Sequence, residues 1–226
     1  MSVIACSFLM MSCNSDDLNN IENTSVNFEL KTGTIPVQNS ANEKDYSGKI
    51  FNDLKSTLNS NITALVLEDI IREVEIVASE NNDFTAISKD YEGIDSIKVN
   101  EVLASTDTFS LIESTNFTSV TKDLLFSFTA QLENMDNLAY NDIYNYIIGF
   151  ENEIINNGTI NKNEKDRVLA ITSITRYSYH IMNEEADPIR FGKIKTNLHG
   201  AISGADSDIA TAITMTLVMQ AATSNQ

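Results

Sequence analysis

Hydrophobic and polar positions along this chain keep a helical period over most of its length. From Asn42 onward, Tyr46, Ile50, Leu54 and Leu58 recur every four residues with Phe51 beside them, which predicts an amphipathic helix with one apolar stripe. Asn59-Ser60-Asn61 then interrupts the pattern, and Ser60 or Asn61 is an N-cap candidate for the next segment. In that segment, "ITALVLEDIIREVEIVASE", Leu67, Ile70, Ile71, Val74, Val77 and Ala78 share one side and Glu68, Arg72, Glu73 and Glu75 the other. Two such helices joined by a short turn predict an antiparallel hairpin.

Residues 81–116 are less regular and predict one or two short helices in a long connection. A helix of about sixteen residues follows, with Val120, Leu124, Leu125, Phe128, Leu132 and Met135 on one face. Further on, Ile143, Ile147, Phe150 and Ile154 define another helix, and "NNG" at 156–158 supplies left-handed-tolerant residues to end it. Asn161 and Glu164 have the spacing of a capping box. The helix they open runs to about Glu185, before Pro188, and turns Val168, Ile171, Thr175, Ser178 and Met182 inward. Ile174, Tyr177 and Ile181 widen that face, the mark of a central helix.

The C-terminal part changes character. Arg190, Lys193 and Lys195 form the local basic cluster, and Gly192, Gly200 and Gly204 are small-residue sites. Residues 209–222 are apolar on nearly all sides, with Ser207 as the expected N-cap and Asp208 favourable near the helix N-terminus. Such a helix is buried or meets lipid, and burial is the preferred expectation because the segment is short for a bilayer. The pattern therefore predicts an all-α fold: a bundle of antiparallel helical hairpins, an apolar C-terminal helix filling the core, and an extended tether ahead of it.

Composition narrows the function. Of 226 residues 32 are acidic and 15 basic, and the resulting charge of −17 repels phosphate backbones, so no nucleic-acid partner is expected. Cys6 and Cys13 are the two cysteines, which leaves the remainder without a disulfide framework or a cysteine metal site. With eight glycines and two prolines the chain has few helix breakers.

The leader explains those cysteines. Residues 1–12, "MSVIACSFLMMS", are apolar and uncharged, with the length of a secretory apolar region. Leu9-Met10-Met11-Ser12-Cys13 resembles the lipobox of Gram-negative bacterial lipoproteins, and Asn14-Ser15-Asp16-Asp17 resembles their acidic surface-export signal. The resemblance covers residues 1–17. It implies a removed signal peptide at 1–12, a lipidated tether at 13–42 attached through Cys13, and a helical domain at 43–226. It also implies export directed by Asp16 and Asp17 to the outer membrane, with surface exposure; a periplasmic or secreted location is the alternative.

Candidate chemistry is sparse. His180 and Glu184 stand four apart on one helix, a metal-ligand spacing, but two groups do not make a site and no metal is assigned. Asp206 and Asp208 beside Gly204 lack the full ligand pattern of a calcium loop. No nucleophile elbow, phosphate loop, dinucleotide fingerprint or zincin motif occurs, so no catalytic residue and no cofactor are assigned. Tyr140, Tyr144, Tyr146, Tyr177 and Tyr179 fit helix packing better than a groove for sugar or peptide. Asp95-Ser96-Ile97 resembles an acceptor of Gram-negative O-glycosylation.

The expected function is a lipid-anchored extracytoplasmic lipoprotein acting as a binding or structural module, with the membrane as one partner and a protein or glycan as ligand. The alternative is a membrane-active or secreted interaction protein using the basic patch at 190–195 and the apolar helix at 209–222. An enzyme of unknown type comes third.

Overall fold

The computed structural model describes residues 37–58, 62, 66–135, 138–184 and 190–223. Among them are ten helices and no strands, in agreement with the all-α expectation. The leader, Cys13, Asp16, Asp17 and most of the expected tether lie outside the described residues.

The helices are α1 (Tyr46–Thr57), α2 (Leu67–Glu80), α3 (Asn82–Ile87), α4 (Ser96–Ala104), α5 (Thr108–Ser114), α6 (Ser119–Asn134), α7 (Tyr140–Asn156), α8 (Lys162–Glu184), α9 (Arg190–Ala205) and α10 (Ile209–Thr223). Three of them form the centre: α8, α9 and α10 pack on one another, α1 and α7 lie against α8, and α2 lies against α10. The expected hairpin of α1 and α2 is loose, because each stripe has a better partner: Ile50, Phe51 and Leu54 go to the core beside α8, and Ile70 and Val74 beside α10. The irregular stretch from 81 to 116 holds three short helices, more than the pattern predicts; α4 and α5 each begin on an aspartate cap, Asp95 and Asp107.

The α7–α8 hairpin forms as the spacing predicts, with Ile143, Ile147, Phe150 and Ile154 buried. Its turn differs. Asn157 keeps an extended backbone instead of a left-handed one, and its Oδ1 accepts the Thr159 and Ile160 amides, so a side-chain turn replaces the glycine cap. Asn161 Oδ1 accepts the Glu164 amide at 2.9 Å, half of a capping box. The Glu164 carboxylate turns to α6 instead and accepts from the Thr118 amide and the Thr118 and Thr121 hydroxyls. Burial works against its charge, but those bonds win and hold it below the usual carboxylate range.

Every residue from Val168 to Tyr179 of α8, and from Ala210 to Met219 of α10, is buried. Several hydroxyls in these stretches bond along their own helices: Thr175 to the Ile171 carbonyl, Ser178 to Ile174, Thr214 to Ala210 and Thr216 to Ala212. A helix can thus be polar in composition and still lie in the core.

Helix α9, which the three glycines had obscured, is the closest neighbour of α10. A Cβ on Gly204 would lie 2.5 Å from Ala212 Cα and from the Thr211 carbonyl, and one on Gly200 would lie 2.8 Å from Thr216 Cα. Pairing 200 with 216 and 204 with 212 makes the two helices antiparallel. The glycines cost helix propensity of about 1 kcal/mol each and let two backbones meet, so α10 finds a neighbour on the side where a larger residue would hold it off.

Candidate functional site

Two polar features stand out in this helical body. The first is a buried clasp between the start of the domain and the α7–α8 pair. Arg176 and Glu151 have no exposed side-chain surface, and Arg176 Nη2 pairs with Glu151 Oε1 at 3.3 Å and with Asp45. Glu151 also accepts from Asn39 Nδ2 at 2.6 Å, Asn42 Nδ2 at 3.0 Å and Thr172 Oγ1 at 3.1 Å. Asn39 and Asn42 are themselves buried, so the folded body begins ahead of residue 43, where the tether was expected to give way to the domain. Gly48 completes the joint: its amide donates to Ser173 Oγ at 3.1 Å, and a Cβ there would lie 2.3 Å from the Tyr177 ring.

Burial disfavours the charge on Arg176, yet Glu151 and Asp45 outweigh it and raise its pKa. The guanidinium Nε and Nη1 donate to no described group, so the cluster is incompletely satisfied. A buried cluster of this kind specifies how chain segments meet more than it stabilises them.

The second feature is a cleft of about 870 Å³. It is built from the loop at 90–95, the first turns of α8 and the start of α10. The loop has a fixed shape: Gly93 adopts φ +93°, a conformation that favours glycine, and Glu75 Oε1 accepts the Ile94 amide at 2.9 Å. Ile87, Ile94, Ile209 and Met215 give the cleft an aliphatic lining. Tyr91 contributes too, with its ring edge-on to Phe84 at 5.5 Å and its hydroxyl pushed up to about 12 by burial.

Several charges of the cleft are already engaged. Asp166 pairs with Lys44 at 3.2 Å and Lys162 at 3.3 Å, and Arg167 Nη1 donates to the Asp206 carbonyl at 2.9 Å. Asp208 caps α10 through the Thr211 amide and hydroxyl, a role expected of Ser207. Asp95 caps α4 through the Ile97 amide. Asp90 and Glu92 are exposed and enter no hydrogen bond or ion pair among the described residues.

The cleft also has neighbours. A cavity of about 510 Å³ shares Lys162 and Asp166 with it, and one of about 340 Å³ shares Asp95 and Lys98. The three adjoin as a compartmented groove. Comparison with family models, curated proteins and solved structures finds no match to this chain.

The residues singled out by sequence are scattered. His180 Nε2 lies 3.3 Å from Glu184 Oε1, and its ring sits beside Tyr140; among the described residues no group of three or more possible metal ligands converges. His199 is buried against α5, its Nε2 2.9 Å from Thr108 Oγ1. Asp206 receives the Asn116 amide and side chain. Tyr140, Tyr177 and Tyr179 are buried and Tyr146 donates to the Phe128 carbonyl at 3.2 Å, so these tyrosines pack helices together. In the basic cluster, Lys195 donates to the Thr106 carbonyl at 3.1 Å and lies 3.8 Å from Glu133.

The clasp and the groove were not singled out from the sequence. A signal for the clasp exists: Glu151 stands four after Ile147 on an inward stripe, and Arg176 follows Ile174 within an apolar stretch. Two charges at core positions imply a buried pair. For the groove, only "DYEGID" with its glycine hinted at a shaped loop.

Proposed function

We propose that this chain is a lipid-anchored extracytoplasmic lipoprotein of the bacterial outer membrane, surface-exposed, whose helical domain is a binding module. The observation that carries the anchor is Leu9-Met10-Met11-Ser12-Cys13 followed by Asp16-Asp17, in a chain with no cysteine after Cys13. In this reading Cys13 takes the lipid, and the residues behind it lead to a domain whose first side chains, Asn39 and Asn42, are held on Glu151. The groove supports the binding role: its central cavity has a volume in the range of ligand sites, and it combines aliphatic lining with polar groups that no internal partner uses.

The membrane-active alternative has less support. It requires α10 to leave a site where it is buried on all sides. No described helix is long and apolar enough to cross a membrane.

The test is partition in the native host. Wild type should sediment with the outer membrane and the Cys13→Ser variant should not; equal partition of the two would remove the anchor from the account.

A further inference from the structure

We infer that the groove binds an extended peptide segment that is rich in basic residues and carries aliphatic side chains at intervals. The inference rests on the reading of the domain as a binding module and names the ligand class of that module.

Its shape carries the first step. The cavity of about 870 Å³ is flanked by two others, of about 510 and 340 Å³, each sharing lining residues with it, an extended row that suits a linear ligand better than a compact one. The compartments are separated by charged residues, Lys162 with Asp166 at one boundary and Asp95 with Lys98 at the other. All three cavities have aliphatic lining, including Ile94 and Met215 in the central one and Ile160 and Ile97 in its neighbours. Sockets that alternate with charged boundaries suit a linear polymer with spaced apolar groups. A peptide has that pattern, since successive side chains of an extended chain point in alternate directions.

A glycan fits less well. Sugar rings are held on open aromatic faces, and this chain has no tryptophan. Of the tyrosines of the central cavity, Tyr91 packs perpendicular to Phe84 at 5.5 Å and Tyr46 carries the Lys44 ammonium 5.9 Å from its ring centroid.

Charge gives the sign. Asp166, Asp206 and Asp208 are engaged internally, as is Arg167. Four exposed carboxylates along the groove, Glu43, Asp90, Glu92 and Glu101, have no hydrogen bond or ion pair among the described residues. Lys98 is the corresponding cation without such a partner. The surplus is negative, the whole chain carries −17, and a basic segment would be both steered to the groove and paired within it.

The test uses the full chain at physiological ionic strength, where charges beyond about 8 Å are screened. Fluorescence anisotropy follows labelled octapeptides of alternating lysine and leucine, the same peptide with glutamate for lysine, and a labelled maltohexaose. The lysine peptide should bind. The Asp90→Asn/Glu92→Gln variant should weaken it about tenfold, the loss of two partly screened ion pairs. Asp123→Asn/Asp142→Asn, at exposed residues of α6 and α7 that line none of the three cavities, makes the same change in net charge and should leave binding within about twofold. Ile97→Ser, at a side chain 67% exposed that lines the smallest compartment, removes the apolar contact without adding charge and should weaken binding without unfolding the chain. Equal loss in the two carboxylate variants would mean unspecific attraction and overturn the inference. Binding of the sugar alone, sensitive to Asp90 and Glu92, would overturn the peptide and keep the binding module. No binding by any probe would remove the peptide, and binding by the Cys13→Ser chain reports on the groove independently of the anchor.

Discussion

Lowering the pH from 7 to 5 should destabilise the domain through His199. This side chain is buried, its Nε2 is 2.9 Å from Thr108 Oγ1, and Lys195 lies one helical turn away on α9. Burial first and the Lys195 charge second push its pKa from 6.5 down to about 4, opposed in part by Asp107. The folded value lies below the unfolded one. The stability from a neutral His199 is therefore fully present above pH 6.5 and is lost as pH falls from there towards 4, because the unfolded chain takes up the proton first. With these two values the linkage relation gives a loss of about 2 kcal/mol between pH 7 and pH 5, and about 3 kcal/mol in total below pH 4. Glu164, whose pKa is lowered from 4.5, loses its contribution mostly at more acid pH and does not blur the window. The assay is urea unfolding followed by helical circular dichroism, in wild type and in His199→Gln, which keeps a polar group opposite Thr108 and cannot charge. The stability difference between the two proteins should shift by about 2 kcal/mol against wild type between pH 7 and 5. A difference that stays constant would refute a buried, neutral His199.

Other expectations follow from packing. Gly149→Ala in α7, where an added Cβ meets nothing within 4 Å, should stabilise by about 0.5–1 kcal/mol. Gly204→Ala, the same change on α9, should instead cost about 1–3 kcal/mol, because its Cβ would meet the backbone of α10 at 2.5 Å. Arg176→Met should cost about 3–5 kcal/mol by leaving Glu151 charged and unpaired, and adding Glu151→Gln should recover part of it; chemical unfolding measures both. Deleting residues 209–226 should abolish cooperative unfolding, since the deletion removes ten consecutive buried positions from Ala210 to Met219. A truncated chain that unfolds like wild type would show that α10 is dispensable to the core.

The elements legible in the sequence were those whose apolar residues fall on one stripe. Ile143, Ile147, Phe150 and Ile154 located α7, and Leu125, Phe128 and Leu132 located α6, because one neighbour on one side leaves a clean period. Where a helix is surrounded, the period disappears: α8 carries Thr172, Ser173 and Arg176 in its buried stretch, and these meet the Leu169 carbonyl, Glu151 and Asp45. Helix α9 was hidden for a related reason. Gly200 and Gly204 weaken a local helix signal, and their value lies in contacts with Ala212 and Thr216, which local propensity cannot register. Partner choice was also invisible, so α1 and α2 were paired as sequence neighbours although their main contacts lie with α8 and α10. The groove depends on loops from three parts of the chain, and Asp90 and Glu92 acquire meaning only once the other acids near them are seen to be engaged.

In the function proposed above, this acidic helical domain is carried on a lipid at Cys13. Intact-mass analysis of the membrane fraction from the native host, for wild type and Cys13→Ser, decides whether that lipid is there. The wild-type chain should begin at Cys13 and carry additional acyl mass, with that mass absent from the variant. A wild-type chain recovered without acyl mass, retaining residues 1–12 and free of the membrane, would contradict it.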